Sequence, residues 1–240
     1  MPVILQGALP AAQSGNPRLP GTMPCGPNDW LRVDDAYRAQ MAYRTQLLAD
    51  RRDAVLRENK TVGQELLAET LKLLPDKGFK VAKDSVTCPD GRRVVLDWNA
   101  PLYTLGHVVQ EDICLLEKRG DAHVLTGAVL CFPANWRLAE KMNQPLIGIH
   151  APVPEYTENI ARRVQRLFDG VKVGRPLWRF NKLGYGDADL HQPYKKTDTD
   201  KMPFVRSERQ CILRLPRTDA VVFTIHTFVV RDRPQLLNVL

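Results

Sequence analysis

Apolar positions along this chain change their spacing twice, and the changes divide it into helical and strand-forming parts. From Asp34 the period is helical: Tyr37, Met41, Leu48 and Val55 share one face, Arg38, Arg44, Arg51 and Arg52 fall mostly elsewhere, and Asp34 or Asp35 can cap the start. A second helix is signalled by the capping-box arrangement Thr61-Val62-Gly63-Gln64. Its stripe is Leu66, Leu67, Leu71 and Leu74, and Pro75 and Gly78 close it. Beyond Gly78 the period falls to two. Val94–Trp98, Ile113–Leu116 and His123–Cys131 alternate as strands do, and Arg119-Gly120-Asp121 folds the last two into a hairpin. A second pair, Gln210–Pro216 and Val221–Val230, closes the chain around Arg217-Thr218-Asp219.

Between these pairs lies the stretch CFPANWRLAEKMNQPLIGIHAPVPEY, residues 131 to 156. A strand-like run ends at Cys131-Phe132, Pro133 punctuates it, a short amphipathic helix carries Trp136, Leu138 and Ala139, and an apolar run climbs to His150. Pro152 and Pro154 then stop any regular element, so His150 sits on a stiff corner, either as a ligand or as a hydrogen-bonded core histidine. Glu155 to Phe168 returns to helical spacing with Ile160, Val164 and Leu167. Residues 182 to 203, rich in glycine, proline and charge, read as a long surface loop, either a lid or plain solvated chain. Residues 1 to 28, rich in Pro, Gly and Ala, read as an extended N-terminal arm, and 29 to 240 as a single domain. Helices on one side and hairpins that join into a sheet make an α+β fold, with the antiparallel sheet flanked by helices and an added N-terminal helical layer.

Composition narrows the function classes. The 240 residues are 44% hydrophobic and 25% charged, ordinary for a folded domain, and no stretch is long and apolar enough to span a bilayer. The start lacks a signal-peptide pattern, so a cytoplasmic location and no membrane association are expected. Cys25, Cys88, Cys114, Cys131 and Cys211 are widely spaced and odd in number, which indicates neither a zinc site nor a disulfide framework. The net charge of +7 invites a nucleic-acid reading. Its positives, however, are short pairs among acids, without an aromatic-rich strand or a helix-turn-helix signature. No nucleic-acid partner is expected. The charge suits docking of an acidic partner or pairing with an anionic ligand.

Five ordered motifs, DWLRVDDAY (29 to 37), VQEDICLL (109 to 116), CFPANWRLAEK…IGIHAPVPEY, RPLWRFN (175 to 181) and RSERQCILRLPRTDAVVFTIHTF (206 to 228), resemble the haem-dependent oxidative N-demethylase family over most of the chain. The resemblance implies a PAS-like haem-binding domain and a monooxygenase that removes a methyl group from a small secondary amine with dioxygen, releasing formaldehyde. It also implies haem b, with electrons from a separate flavin or iron–sulfur reductase, since no flavin, nucleotide or iron–sulfur motif is present in this chain. A haem or gas sensor or carrier of the same fold, and a haem-free subunit of an oxidase complex, are the competing readings.

On that resemblance His150 is the candidate axial iron ligand, with a thiolate from Cys114, Cys131 or Cys211 as the alternative. Arg179 and Asn181 match an arginine-x-asparagine motif. Arg179 offers donors to a propionate or to oxygen, and Asn181 can orient an amine or a water; the plainer readings are a salt bridge and a turn residue. Glu208 either holds an ammonium or relays protons, or simply pairs with Arg206 or Arg209. Two positions depart from the family pattern: Lys182 stands where a tryptophan is usual, and His226 stands where an arginine precedes threonine and tyrosine. His226 is carried as a catalytic candidate at that position, with the charge and reach of the site altered.

Overall fold

The computed structural model describes residues 2–16, 21–150, 158–194 and 202–232, with the backbone alone at 150, 158, 159 and 161. Edge strand β1 (Met23–Pro24) precedes helix α1 (Tyr37–Asp50), the short α2 (Arg52–Val55) and strand β2 (Leu56–Arg57). Helix α3 (Lys60–Leu73) leads into a small sheet of β3 (Lys80–Val81), β4 (Ser85–Thr87) and β5 (Arg93–Val95), and then to α4 (Pro101–Val108). The hairpin β6 (Asp112–Arg119) and β7 (Ala122–Val129) follows, turning at Gly120, whose φ of 59° suits a residue without a Cβ. Three helices, α5 (Leu138–Lys141), α6 (Leu146–His150) and α7 (Glu158–Gly170), precede the long strands β8 (Leu177–Tyr185), β9 (Phe204–Arg214) and β10 (Val221–Arg231).

The main sheet runs β1-β8-β9-β10-β6-β7-β2, antiparallel at every pairing. Its five long strands therefore lie in the order second, first, fifth, fourth, third, the arrangement of a PAS-like sheet. The pleat sends alternate residues to two cores. Ile113, Leu115, Val222 and Cys211 pack against the N-terminal layer of α1, α3 and α4. Cys114, Leu116, Val221, Ile225 and Ile212 pack under Leu138 of α5, Leu146 of α6 and Phe168 of α7. Helix α4 lies deep in the first core: a Cβ on Gly106 would come within 2.9 Å of both Leu48 and Val129.

Several local features differ from the sequence reading. Helix α3 is capped by Asn59, whose side chain accepts the Val62 amide at 3.2 Å, so the cap lies two residues before Thr61. Ahead of α1, Asp34 accepts the Ala36 amide with its carboxylate, whereas Asp35 takes the amide of Gly7. Arg44 does not face solvent with the other arginines of α1; it is fully buried. Strand β8 continues through Tyr185, so the expected loop starts later. Lys182 and Gly184 are poor strand formers, but β9 supplies a ladder partner for every residue from Leu177 to Tyr185. The chain after β8 then folds inward, burying Ala188, Leu190, His191 and Gln192, while 195 to 201 lie outside the described residues. Trp136 precedes α5, and Ala139 is exposed on it. The run ending at His150 is helical.

The arm is built onto the sheet. Strand β6 begins at Asp112, opposite Ile225, which leaves the outer part of β10 without a neighbour on that side. Gln6 fills the gap: its amide donates to the Val229 carbonyl at 2.9 Å, its side-chain oxygen accepts the Val229 amide at 2.8 Å, and its Nε2 reaches the Thr227 carbonyl at 3.2 Å.

The deepest polar contact is the pair of Arg44 and Asp112, 2.6 Å apart. Asp112 also accepts the amides of Cys131 (2.7 Å) and Phe132 (2.8 Å), and Arg44 donates to the carbonyls of Gly106, Gln110 and Glu111. Replacing Asp112 by Ala orphans a buried guanidinium and two amides, so a loss of about 3–5 kcal/mol is expected, read as a lowered urea midpoint. Arg44→Met with Asp112→Leu should recover only part of this, because the two amides stay unpaired. A shift below about 1 kcal/mol for Asp112→Ala would show that water or a rearranged chain replaces the carboxylate.

Candidate functional site

Register across three strands sets out one face of the sheet in rows. Thr227, Glu208 and Asn181 stand side by side on β10, β9 and β8, then Ile225, Gln210 and Arg179, then Phe223, Ile212 and Leu177. All nine point toward the side covered by α5, α6 and α7, by the same alternation that puts Ile225 and Ile212 in that core. The face is amphipathic: polar at the Thr227 row, apolar at the Phe223 row, where Ile149, Val164 and Leu167 of the covering helices pack against the same cluster.

Glu208 is the centre of the polar end and is 6% exposed. Its Oε1 accepts from Arg206 Nε at 3.2 Å and lies 3.1 Å from Arg206 Nη2. Its Oε2 accepts from Asn181 Nδ2 at 2.9 Å and from Gln210 Nε2 at 3.3 Å. Asn181 answers with its own oxygen, which accepts the Glu208 amide at 2.9 Å. Asn181 is not the turn residue of the plainer sequence reading. It lies in the middle of β8 and spends both ends of its amide on Glu208. Glu208 pairs with Arg206; Arg209 projects to the opposite face. Arg206 extends the network to the covering segment, donating to the Phe132 carbonyl at 2.6 Å and the Leu190 carbonyl at 3.0 Å.

Arg179 is different. It is half-buried, its Nε is shielded from water, and that atom has no hydrogen-bond partner among the described residues. Burial holds its guanidinium below the ordinary arginine range, with the nearby Glu208 charge opposing. Thr227 Oγ1 is likewise buried and unpartnered. His123 Nε2, also on the covered side, is a third such atom, and further ones lie elsewhere among the described residues; each costs about 1–3 kcal/mol when left dry, so each can accommodate a polar group of a ligand or a water.

The remaining candidates separate. His150 ends α6, next to the covered face, but its side chain and the two-proline corner lie outside the described residues. Among the thiolate alternatives, Cys114 is on this face, and burial pushes its thiol well above the ordinary range. Cys131, pushed up to about 12 by burial, and Cys211 belong to the other core.

His226 does not join the site. It projects from β10 to the opposite face, 1% exposed, with Nδ1 3.0 Å from Glu111 and Nε2 3.1 Å from Asp34. Parity along the strand is the reason: His226 and Thr227 are neighbours, so they point apart. Lys182 also faces the arm, where its Nζ donates to the Ser14 carbonyl at 2.9 Å. Both departures from the family pattern thus fall on the arm side. Thr227, Arg206 and Gln210 complete the polar end, and the sequence reading did not select them. Their signal was the in-phase alternation of two strands in register.

A family model described as haem-dependent oxidative N-demethylase, alpha subunit-like, matches residues 21–233, most of the chain. Among the described residues no helix is long and apolar enough to cross a membrane.

The His226 cluster has a pH signature. Burial disfavours the imidazolium, but the hydrogen bonds and charges of Asp34 and Glu111 outweigh it and push His226 up to about 9. Burial likewise opposes ionisation of Asp34, and His226, Gln110 and Gln6 overcome it, holding the carboxyl at about 2. The raised histidine contributes stability in full below its ordinary 6.5, and loses it as pH rises through about 9. The depressed aspartate contributes in full above 3.8, and loses it as pH falls through about 2. Urea unfolding of wild type and His226→Gln should therefore differ most between those limits, with the gap closing toward pH 9. A gap that stays constant from neutral pH to 9 would mean that His226 is held neutral.

Proposed function

The chain belongs to the haem-dependent oxidative N-demethylase, alpha subunit-like family, and from that premise we propose that it binds haem b on the covered face of its sheet and oxidatively demethylates a small secondary amine. The observation that carries this reading is the amphipathic face with its unpaired Arg179 Nε and Thr227 Oγ1. A flat macrocycle with two carboxylates asks for an apolar floor beside unsatisfied cationic and hydroxyl donors.

In this reading Arg179 would bind a carboxylate of the cofactor, Thr227 would donate a further hydrogen bond, and the partly buried Phe223 and Leu177 would keep water from the ring. His150 is the candidate iron ligand. Haem held there would supply dioxygen activation and oxidation of the carbon next to nitrogen, with release of formaldehyde and the shorter amine. Arg206, Asn181 and Gln210 hold the Glu208 carboxylate in one orientation, so its negative charge favours an ammonium group at the polar end. Electrons come from a separate flavin or iron–sulfur reductase subunit, in keeping with the subunit-like family description. The net charge of +7 suits docking of an acidic partner.

One observation favours a second reading. Both oxygens of Glu208 are engaged within the protein, which suits a haem sensor or carrier that needs no proton relay.

Protein purified from haem-replete cells should show a Soret band. Arg179→Ala should weaken haem retention about 10-fold or more, the size of a lost charge-assisted hydrogen bond, and His150→Ala should shift or abolish the band. Amine-dependent formaldehyde release with a reductase distinguishes the enzyme from the carrier. A colourless wild-type protein would leave a haem-free subunit as the reading.

A further inference from the structure

On the arm side of the sheet, two cysteines converge on one arginine. Cys25 follows β1 and borders a cavity of about 400 Å³ lined also by Pro24, Val171, Arg175 and Leu177. Cys211 lies on β9. Arg209 Nη1 stands 2.7 Å from Cys211 Sγ, and Nη2 stands 3.3 Å from Cys25 Sγ and 3.2 Å from Asp29 Oδ2. The guanidinium lies over Trp178, 4.8 Å from the ring centre, so both sulfurs converge on one positioned cation. Cys25 is no haem candidate, Cys211 lies on the face opposite the proposed haem site, and a hydrophobic core needs no arginine between two thiols.

We propose that Cys25 and Cys211 form a peroxide-reactive dithiol: a hydroperoxide entering from the cavity oxidises Cys25, and Cys211 resolves it to a disulfide. Position favours this order: Cys25 borders the cavity, with the Arg209 cation on one side of its sulfur and Asp29 at 4.0 Å on the other, whereas Cys211 is 1% exposed inside the core. Burial raises the thiols of Cys88, Cys114 and Cys131, which leaves them protonated and slow.

The chemistry balances with the hydroperoxide as oxidant. The Cys25 thiolate attacks one peroxide oxygen, the O–O bond breaks, and the departing hydroxide (or alkoxide) takes up a proton as water (or alcohol), leaving a sulfenic acid. Cys211 then attacks the Cys25 sulfur, the S–O bond breaks, and the leaving hydroxide combines with the Cys211 proton as a second water. Sulfur loses two electrons in all, and the peroxide gains them. The product ties the N-terminal arm covalently to β9, and Arg209 keeps Asp29 and Trp178 as partners.

The test is to treat the reduced, full-length protein with equimolar hydrogen peroxide and map its cysteines by peptide mass spectrometry. The expected result is a peptide pair linked through Cys25 and Cys211, with Cys25 consumed at least about tenfold faster than Cys131. Cys211→Ser should leave Cys25 as a sulfenic acid that dimedone captures, and Cys25→Ser should leave Cys211 reduced. Cys25 remaining reduced in wild type, or over-oxidised beside a reduced Cys211, would overturn the proposal. The linkage is read in wild type without reliance on either variant's folding or on haem content, so its failure is separate from failure of the demethylase reading.

Discussion

The carboxylate of Asp112 is the junction on which the other parts of this fold converge. It opens β6, an interior strand of the sheet, and holds Arg44 from α1 on one oxygen. Its two oxygens receive the amides of Cys131 and Phe132, where the chain leaves β7 for the segment that covers the other face. The carbonyls of those residues are held too: Cys131 accepts from His191 Nδ1 at 2.8 Å, and Phe132 accepts from Arg206. Helical layer, interior strand and covering segment therefore meet at one buried ionic node. The Arg44–Asp112 ion pair by itself brings little net stability over an apolar replacement, because both charges must be dried. Its value is directional, since no greasy pair would orient two successive peptide groups.

Strand β10 shows how the fold separates two kinds of chemistry by a single residue. His226 enters a cluster with Asp34 and Glu111, a cation between two carboxylates, which ties the strand to the arm side. Thr227, its neighbour, enters the covered side, where Arg179 and Arg206 stand with one carboxylate, Glu208. The first cluster is anionic in balance, with the His226 ring between its two carboxylates. The second carries a surplus positive charge and an unpaired guanidinium nitrogen, which is the electrostatic condition for holding an anion.

That parity also explains what was legible in the amino-acid order and what was not. Period-two runs at Ile113–Leu116, His123–Cys131 and Val221–Val230 were plain because β-branched and apolar residues alternate there over several turns of the pleat. Strand β8 was not read as a strand at all, and Lys182 and Gly184 carry no strand preference of their own; its order comes from β9. The burial of Arg44 was equally hidden, since its partner lies 68 positions away and a helix face reads a guanidinium as solvated. Of the site, Arg179 and Glu208 were selected by motif, and they do share a face. His226 belongs to the same motif and does not, because a motif records neighbours in sequence, and neighbours in a strand point apart.

Adjacent positions on β9 extend the argument. Arg206, Glu208 and Gln210 serve the covered face, while Ser207, Arg209 and Cys211 serve the arm: Ser207 bonds Gln13, and Arg209 bridges to Cys25. The strand is thus a two-sided comb whose teeth on one side position the candidate cofactor site and on the other clasp the N-terminal arm. The arm grips three strands, through Lys182 of β8 to Ser14, Arg209 of β9 to Cys25 and Gln6 to Val229 of β10, so its displacement acts on the site through their backbones. A paired strand with ladder neighbours on both edges moves as a unit, so loosening the arm at Arg209 shifts Glu208 and Gln210 together, and keeps the spacing between them that their shared hydrogen bond requires.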